Sequence, residues 1–147
     1  MSAEAWTSVF RLAVGGFWLY FASQKWTGVA WVRPLIERSP QVNPVPPLRE
    51  LLAAVVAPHW LAFALLQTAG ETLVAALLIL GLFTRPAALL GVLLAIGLSL
   101  TIAFLDADVG SRWLYYLAVL VNAQVLVAGP GRLALDARVA GRRWRRP

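Results

Sequence analysis

Glu71 is the only charged residue between Leu51 and Thr84, a stretch otherwise built of apolar and small residues. A lone charge at mid-membrane depth costs at least about 2.5–3.5 kcal/mol, so this carboxylate demands a partner. Two cations flank the uncharged run Leu12–Gln24, namely Arg11 and Lys25. Depth follows from a helical rise of about 1.5 Å per residue, with the outer boundary set near Lys25, Trp60 and Arg112. Arg11 then lies about 21 Å down, Glu71 about 16 Å, Asn122 about 15 Å and Gln124 about 18 Å. On this reckoning Arg11, Gln67, Glu71, Asn122 and Gln124 form a buried polar core. Glu71 is expected to pair with Arg11, because Lys25 lies about 16 Å away along the membrane normal. Such a pair is either a structural staple between two helices or a proton relay or ligand site. The sequence leaves both open, and no catalytic residue stands out.

A second cluster gathers near the outer boundary: Gln24, Lys25, Trp26, His59, Trp60, Arg112, Trp113, Tyr115 and Tyr116. Aromatic residues at that depth commonly anchor a helix at the membrane surface. The same residue types suit a quinone headgroup, which needs donors for its carbonyls and apolar walls for its ring. Protonating the quinone needs a proton-exchanging side chain, and His59 is the natural candidate. The candidate quinone or substrate residues are Gln24, Lys25, His59, Trp60, Tyr115 and Tyr116. The chain has no cysteine and one histidine. Thiolate metal sites, iron–sulfur clusters and a bis-histidine haem within one chain are therefore excluded, and no metal site or covalently held cofactor is expected. Redox chemistry would have to take its cofactor, such as a quinone, from the membrane or from a partner.

The elements that position these residues follow from composition. In 147 residues, 60% are hydrophobic and 14% charged. A particle this small has too little interior to hide that much apolar surface from water. The chain is read as all-α, an integral membrane four-helix bundle. The expected spans are about 5–26, 59–83, 86–105 and 112–129, each near the 20 residues a crossing requires. Pro86 suits a helix start, and Gly129-Pro130-Gly131 a stop. The outer connection, 27–57, contains Pro34, Pro40, Pro44, Pro46 and Pro47. It is expected to be rigid and partly extended, with a short interfacial helix at Leu48–Ala57 before the second span. The first ten residues contain no Lys or Arg, which argues against a secretory signal.

Residues 1–137 are read as the membrane domain and 138–147 as a basic tail. That tail holds Arg138, Arg142, Arg143, Arg145 and Arg146, most of the net charge of +6. Beside a membrane span, such a cluster sets topology or meets anionic lipid, so no nucleic-acid partner is expected. Arg85 and Arg132 carry the same bias. Both termini are expected on the cytoplasmic side of a prokaryotic inner membrane. Helical spacing sorts the faces. Arg11, Gly15, Trp18, Ala22 and Lys25 share one, as do Gln67, Glu71, Ala75 and Leu78. Gly91, Ala95 and Ser99 form a small-residue stripe for close helix packing.

Several of these segments resemble the DoxX/DoxD family. They are Arg11-x3-Gly15 with Gln24-Lys25, Gly70-Glu71, and Gly81-Leu-Phe-Thr-Arg85-Pro-Ala-Ala88. The ending Gly129-Pro-Gly-Arg132-Leu-Ala-Leu-Asp136 adds to them, and the likeness covers roughly residues 8–136. The resemblance implies a four-helix membrane protein. Its DoxD branch implies a subunit of thiosulfate:quinone oxidoreductase, which oxidises thiosulfate to tetrathionate and reduces quinone. The leading expectation is therefore a membrane subunit of a quinone-linked oxidoreductase with protein partner subunits. A non-catalytic assembly or anchoring subunit of a larger membrane complex and a small-molecule or proton carrier using Glu71 are the alternatives, and a second copy of the chain is a further candidate partner.

Overall fold

A computed structural model describes residues 2–136. The tail arginines Arg138, Arg142, Arg143, Arg145 and Arg146 lie outside the described residues. Within them the chain is all-helical, with six α-helices and no strand. In chain order these are α1 (Ala3–Trp26), α2 (Arg33–Val42), α3 (Pro46–Leu51), α4 (Trp60–Leu80), α5 (Thr84–Thr101) and α6 (Val109–Ala128). A 3-10 turn at Ile102–Leu105 prolongs α5.

Three segments are long and apolar enough to cross a membrane: Trp60–Leu80, Thr84–Leu105 and Val109–Ala128. Their start and end residues match the expected second, third and fourth spans to within three residues. The expected first span does not reach the same apolarity. With 24 residues α1 has the length, but Glu4, Arg11, Gln24 and Lys25 interrupt it.

Local chemistry explains the ends. Ser2 caps α1 by accepting from the Ala5 amide at 3.3 Å. Asp108 caps α6 by accepting from the Ser111 amide at 2.8 Å. Helix α4 stops at Gly81, whose φ of 67° is left-handed. A Cβ there would lie 2.6 Å from the Ala134 backbone, so only glycine fits.

The α5 start has no cap of its own. Asp136, from beyond α6, supplies one: its two carboxylate oxygens accept from the Phe83 and Thr84 amides, each at 2.9 Å. Its own amide donates to Gly81 O at 2.9 Å. The segment after α6 thus clasps the α4–α5 turn. Burial pushes the Asp136 carboxyl up, but the amides of Thr84 and Phe83 and the charge of Arg11 outweigh it and hold it below the usual value.

The connection 27–57, expected to face outward, is not extended, contrary to expectation. Pro34 falls in the first turn of α2, where a helix needs no N–H donor, so it starts the helix rather than breaking it. Pro40 lies two residues from the end of α2 and is buried. Pro46 and Pro47 open α3, which widens into a π-turn at Leu52–Val56. This is the expected short helix, displaced toward Pro46. The connection also packs inward. Asn43 Nδ2 donates to Leu100 O at 2.7 Å, and Ser39 Oγ to Thr101 O at 3.3 Å. Both carbonyls belong to the last turn of α5, where the α-helix passes into the Ile102–Leu105 3-10 turn.

The antiparallel register of α1 on α4 positions everything else. Gly15 packs against Ile79 and Leu78, where a Cβ would come within 2.8 Å of Ile79. At the other end Trp26 Nε1 donates to Thr72 Oγ1 at 3.1 Å. Helix α1 therefore ends level with the middle of α4, and α2 occupies the space beyond it. The Gly91, Ala95 and Ser99 stripe is buried, as its spacing predicts. A side chain at Gly91 would collide with Asn122 of α6.

The clasp has a pH signature. A carboxyl whose folded pKa is depressed stabilises the fold above its unfolded value, near 3.8. That contribution is lost as the pH falls through the lower folded value. Asp136→Asn should lower the melting temperature at neutral pH, and the gap from wild type should close as the pH falls below about 4. Melting curves of both proteins in detergent across that range test this. A gap that persists unchanged at low pH would mean the carboxylate charge is not what holds the turn.

Candidate functional site

The register of α1 brings Lys25, not Arg11, to Glu71. Lys25 Nζ and Glu71 Oε2 are 2.5 Å apart, with side chains 11% and 1% exposed. One turn earlier on α4, Gln67 Nε2 donates to Glu71 Oε1 at 3.0 Å. Each carboxylate oxygen thus has a donor. The expected Glu71–Arg11 pair does not form. The depth estimate equated Lys25 with Trp60, whereas the end of α1 meets Thr72, roughly twelve residues or about 18 Å further along α4.

Arg11 is buried and serves the opposite end of the bundle. It donates to the carbonyls of Leu78 and Ile79, the latter at 3.1 Å, and through Nε to Pro130 O at 3.0 Å. These are the final carbonyls of α4 and the turn after α6, so Arg11 satisfies a helix C-terminus. Asn122 is buried as expected. It accepts from Trp18 Nε1 at 3.0 Å and donates to Ala118 O at 2.7 Å. Gln124 is exposed and does not belong to the polar core. Two residues from Asn122 on a 3.6-residue helix, it faces away from the seam.

The Lys25–Glu71–Gln67 group borders a cavity of about 270 Å³ between α1, α4, α5 and α6. The other walls are aromatic and aliphatic: Phe17, Trp18, Phe21 and Trp31 on one side, Leu98 and Tyr115 among those opposite. Trp31 comes from the 3-10 turn Ala30–Val32 and is held by its Nε1–H donating to Gln24 O at 3.4 Å. An ammonium carries three N–H donors and a carboxamide two, and Glu71 takes one from each. The cavity thus combines a mostly apolar lining with N–H donors of Lys25 and Gln67 beyond those Glu71 takes.

Of the expected outer cluster, only Lys25 and Tyr115 line this cavity. His59 is exposed at the head of α4, its Nδ1 2.9 Å from Val55 O, and borders neither of the two apolar cavities of the bundle. The reason is again register, because the head of α4 stands well beyond the end of α1. Trp60 carries the Arg33 guanidinium 5.4 Å from its ring, and Tyr116 packs edge-on against Trp113. Gln24 contributes its backbone carbonyl alone, with an exposed side chain. Arg85 is exposed, and Arg132 lies 3.7 Å from Glu4 on the surface. Among the described residues no three His, Asp or Glu side chains cluster as metal ligands would. Trp18 and Phe21 were missed as site residues, although Trp18 shares the Lys25 face of α1. Trp31 carried no sequence signal at all.

The geometry defines a helical membrane protein with a buried ion pair on the wall of an apolar chamber. The family model described as the small subunit DoxD of TQO, the thiosulfate:quinone oxidoreductase, matches residues 6–144. The chain belongs to the DoxD family. No curated protein and no solved structure shows a significant match to it.

Removing one member of a buried pair leaves an uncompensated charge, at a cost of about 3–5 kcal/mol. Lys25→Met should destabilise the protein on that scale, and the double variant Lys25→Met/Glu71→Gln should recover most of the loss. Arg11→Met/Glu71→Gln should show no such recovery over Arg11→Met. A thermal-unfolding double-mutant cycle reads both, and a reversed pattern would restore Arg11 as the partner.

Proposed function

We propose that the chain is the membrane subunit of a quinone-linked oxidoreductase of the thiosulfate:quinone oxidoreductase kind, and that the headgroup of a quinone occupies the chamber beside Lys25. The observation that carries this is the pairing of an aromatic slot with a polar edge in a single cavity of headgroup size. Phe17, Trp18, Phe21 and Trp31 provide faces for a flat ring. Lys25, Gln67 and Tyr115 provide donors for its two oxygens. Glu71 holds Lys25 and Gln67 in place through one contact from each of its carboxylate oxygens. A bound quinone supplies the acceptor for electrons and protons. Family membership supports the reading, since the matching model describes a subunit of such an enzyme.

A subunit works with partners, and the absence of cysteine leaves this chain without thiolate-bound redox centres. Its electron donor either meets the quinone directly or acts through a partner subunit. The cluster of arginines in the last ten residues supports an orientation with the termini on the cytoplasmic side of the inner membrane.

Binding of a tail-free benzoquinone analogue to the protein in nanodiscs tests the reading. Lys25→Met and Tyr115→Phe should each weaken binding, the former by about tenfold or more, as for a lost hydrogen bond to a charged group. His59→Ala should stay within about twofold, since its ring lies outside the chamber. No binding by a fully folded wild-type protein would overturn the proposal.

A further inference from the structure

A second cavity of about 260 Å³ adjoins the first. The two share Lys25, Val32, Gln67, Leu98 and Ile102 in their walls, so they are neighbouring chambers divided by one row of side chains. Their chemistry differs. The first chamber is walled by aromatic rings and by Glu71. The second is walled by aliphatic groups, chiefly Ile36, Leu52, Val56 and Ala64, with Phe63 its one ring. The hydroxyls on its wall are committed to helix carbonyls. Ser39 Oγ donates to Thr101 O and Thr101 Oγ1 to Gly97 O at 2.7 Å. Lys25 is turned to Glu71, which lines the first chamber alone. The second chamber therefore has little to offer a polar ligand and much to offer a hydrocarbon chain.

Its rim is open as well. Phe63 of α4 and Gly97 of α5, both on its wall, are exposed, and both helices are long and apolar enough to cross a membrane. We infer that the second chamber holds the first isoprene units of a polyprenyl quinone tail, with the headgroup beyond Lys25 and Gln67 and the rest of the tail leaving between α4 and α5. This rests on the proposed headgroup site and adds to it where the tail sits and between which helices it leaves.

Gly97 gives a clean test. A Cβ placed there meets nothing within 4 Å, so a larger side chain has room to grow without clashing with the fold. Replacing a mid-helix glycine also favours the helix. Gly16, on α1 away from both chambers, has the same open surroundings and serves as the control. Binding of a tail-free benzoquinone and of the same ring bearing two isoprene units is measured in nanodiscs, by competition, for wild type, Gly97→Leu and Gly16→Leu.

The wild type and Gly16→Leu should favour the prenylated ring by at least about tenfold, from the apolar surface the tail buries. Gly97→Leu should lose most of that preference while binding the tail-free ring within about twofold of wild type. An undiminished preference in Gly97→Leu overturns the inference, as does a lipid acyl chain retained in the second chamber while the prenylated ring is bound. Failure of either ring to bind wild type overturns the headgroup proposal itself, and the inference falls with it. Tail-free binding without any gain from the prenyl units overturns the inference alone.

Discussion

One ion pair, Lys25 with Glu71, governs the interior of this protein. Both side chains sit where water is scarce, and each would be expensive alone. Their contact therefore constrains how far α1 can slide along α4. A slip of one turn, about 5.4 Å, would break the pair and leave two charges uncompensated. Gly15 against Ile79 and Trp26 against Thr72 reinforce the same register from either side. Because α1 then ends halfway along α4, a space remains beside the N-terminal half of α4. The α2 segment fills part of it, and the remainder is the pair of chambers.

The bundle is closed by different chemistry at its two ends. At one end, side chains of the outer connection satisfy the last carbonyls of α5, through Ser39 and Asn43. At the other, Arg11 satisfies the last carbonyls of α4, and Asp136 caps the start of α5. Helix termini buried in or near a membrane have no water to complete their hydrogen bonds, so side chains do it. This accounts for Arg11, which resembles a site residue in the sequence but acts as a structural closure. It also separates Arg11 from Lys25, Glu71 and Gln67, which border a cavity large enough for a ligand.

The combination of an aromatic chamber, an aliphatic chamber and a charged divider suits a two-part amphipathic ligand better than a small ion. The partition arises from residue types rather than from shape alone. Rings of α1 and the Ala30–Val32 turn surround one side, and aliphatic side chains of α2, α4 and the π-turn surround the other. The position of Lys25 at the boundary couples a structural necessity to a recognition role, since its ammonium must stay beside Glu71 wherever the ligand lies.

The sequence by itself determined what depends on local periodicity and composition. The three apolar spans, the small-residue stripe of α5, the shared faces of α1 and α4 and the stop at Gly129–Gly131 all follow from spacing along one chain. So did the family, carried by short motifs such as Gly70-Glu71 and Gly81 to Ala88. The identity of Glu71's partner was decided only by tertiary structure, because two cations fourteen residues apart on α1 were both chemically competent. The choice between them turned on where α1 begins relative to α4. That offset is a packing quantity, set by Gly15, Trp26 and the helical fold of a proline-rich connection that composition alone made look extended. The same offset removed His59 from the site, turned a surface cluster into two residues on a chamber wall, and brought in Trp31 from a turn with no motif to mark it.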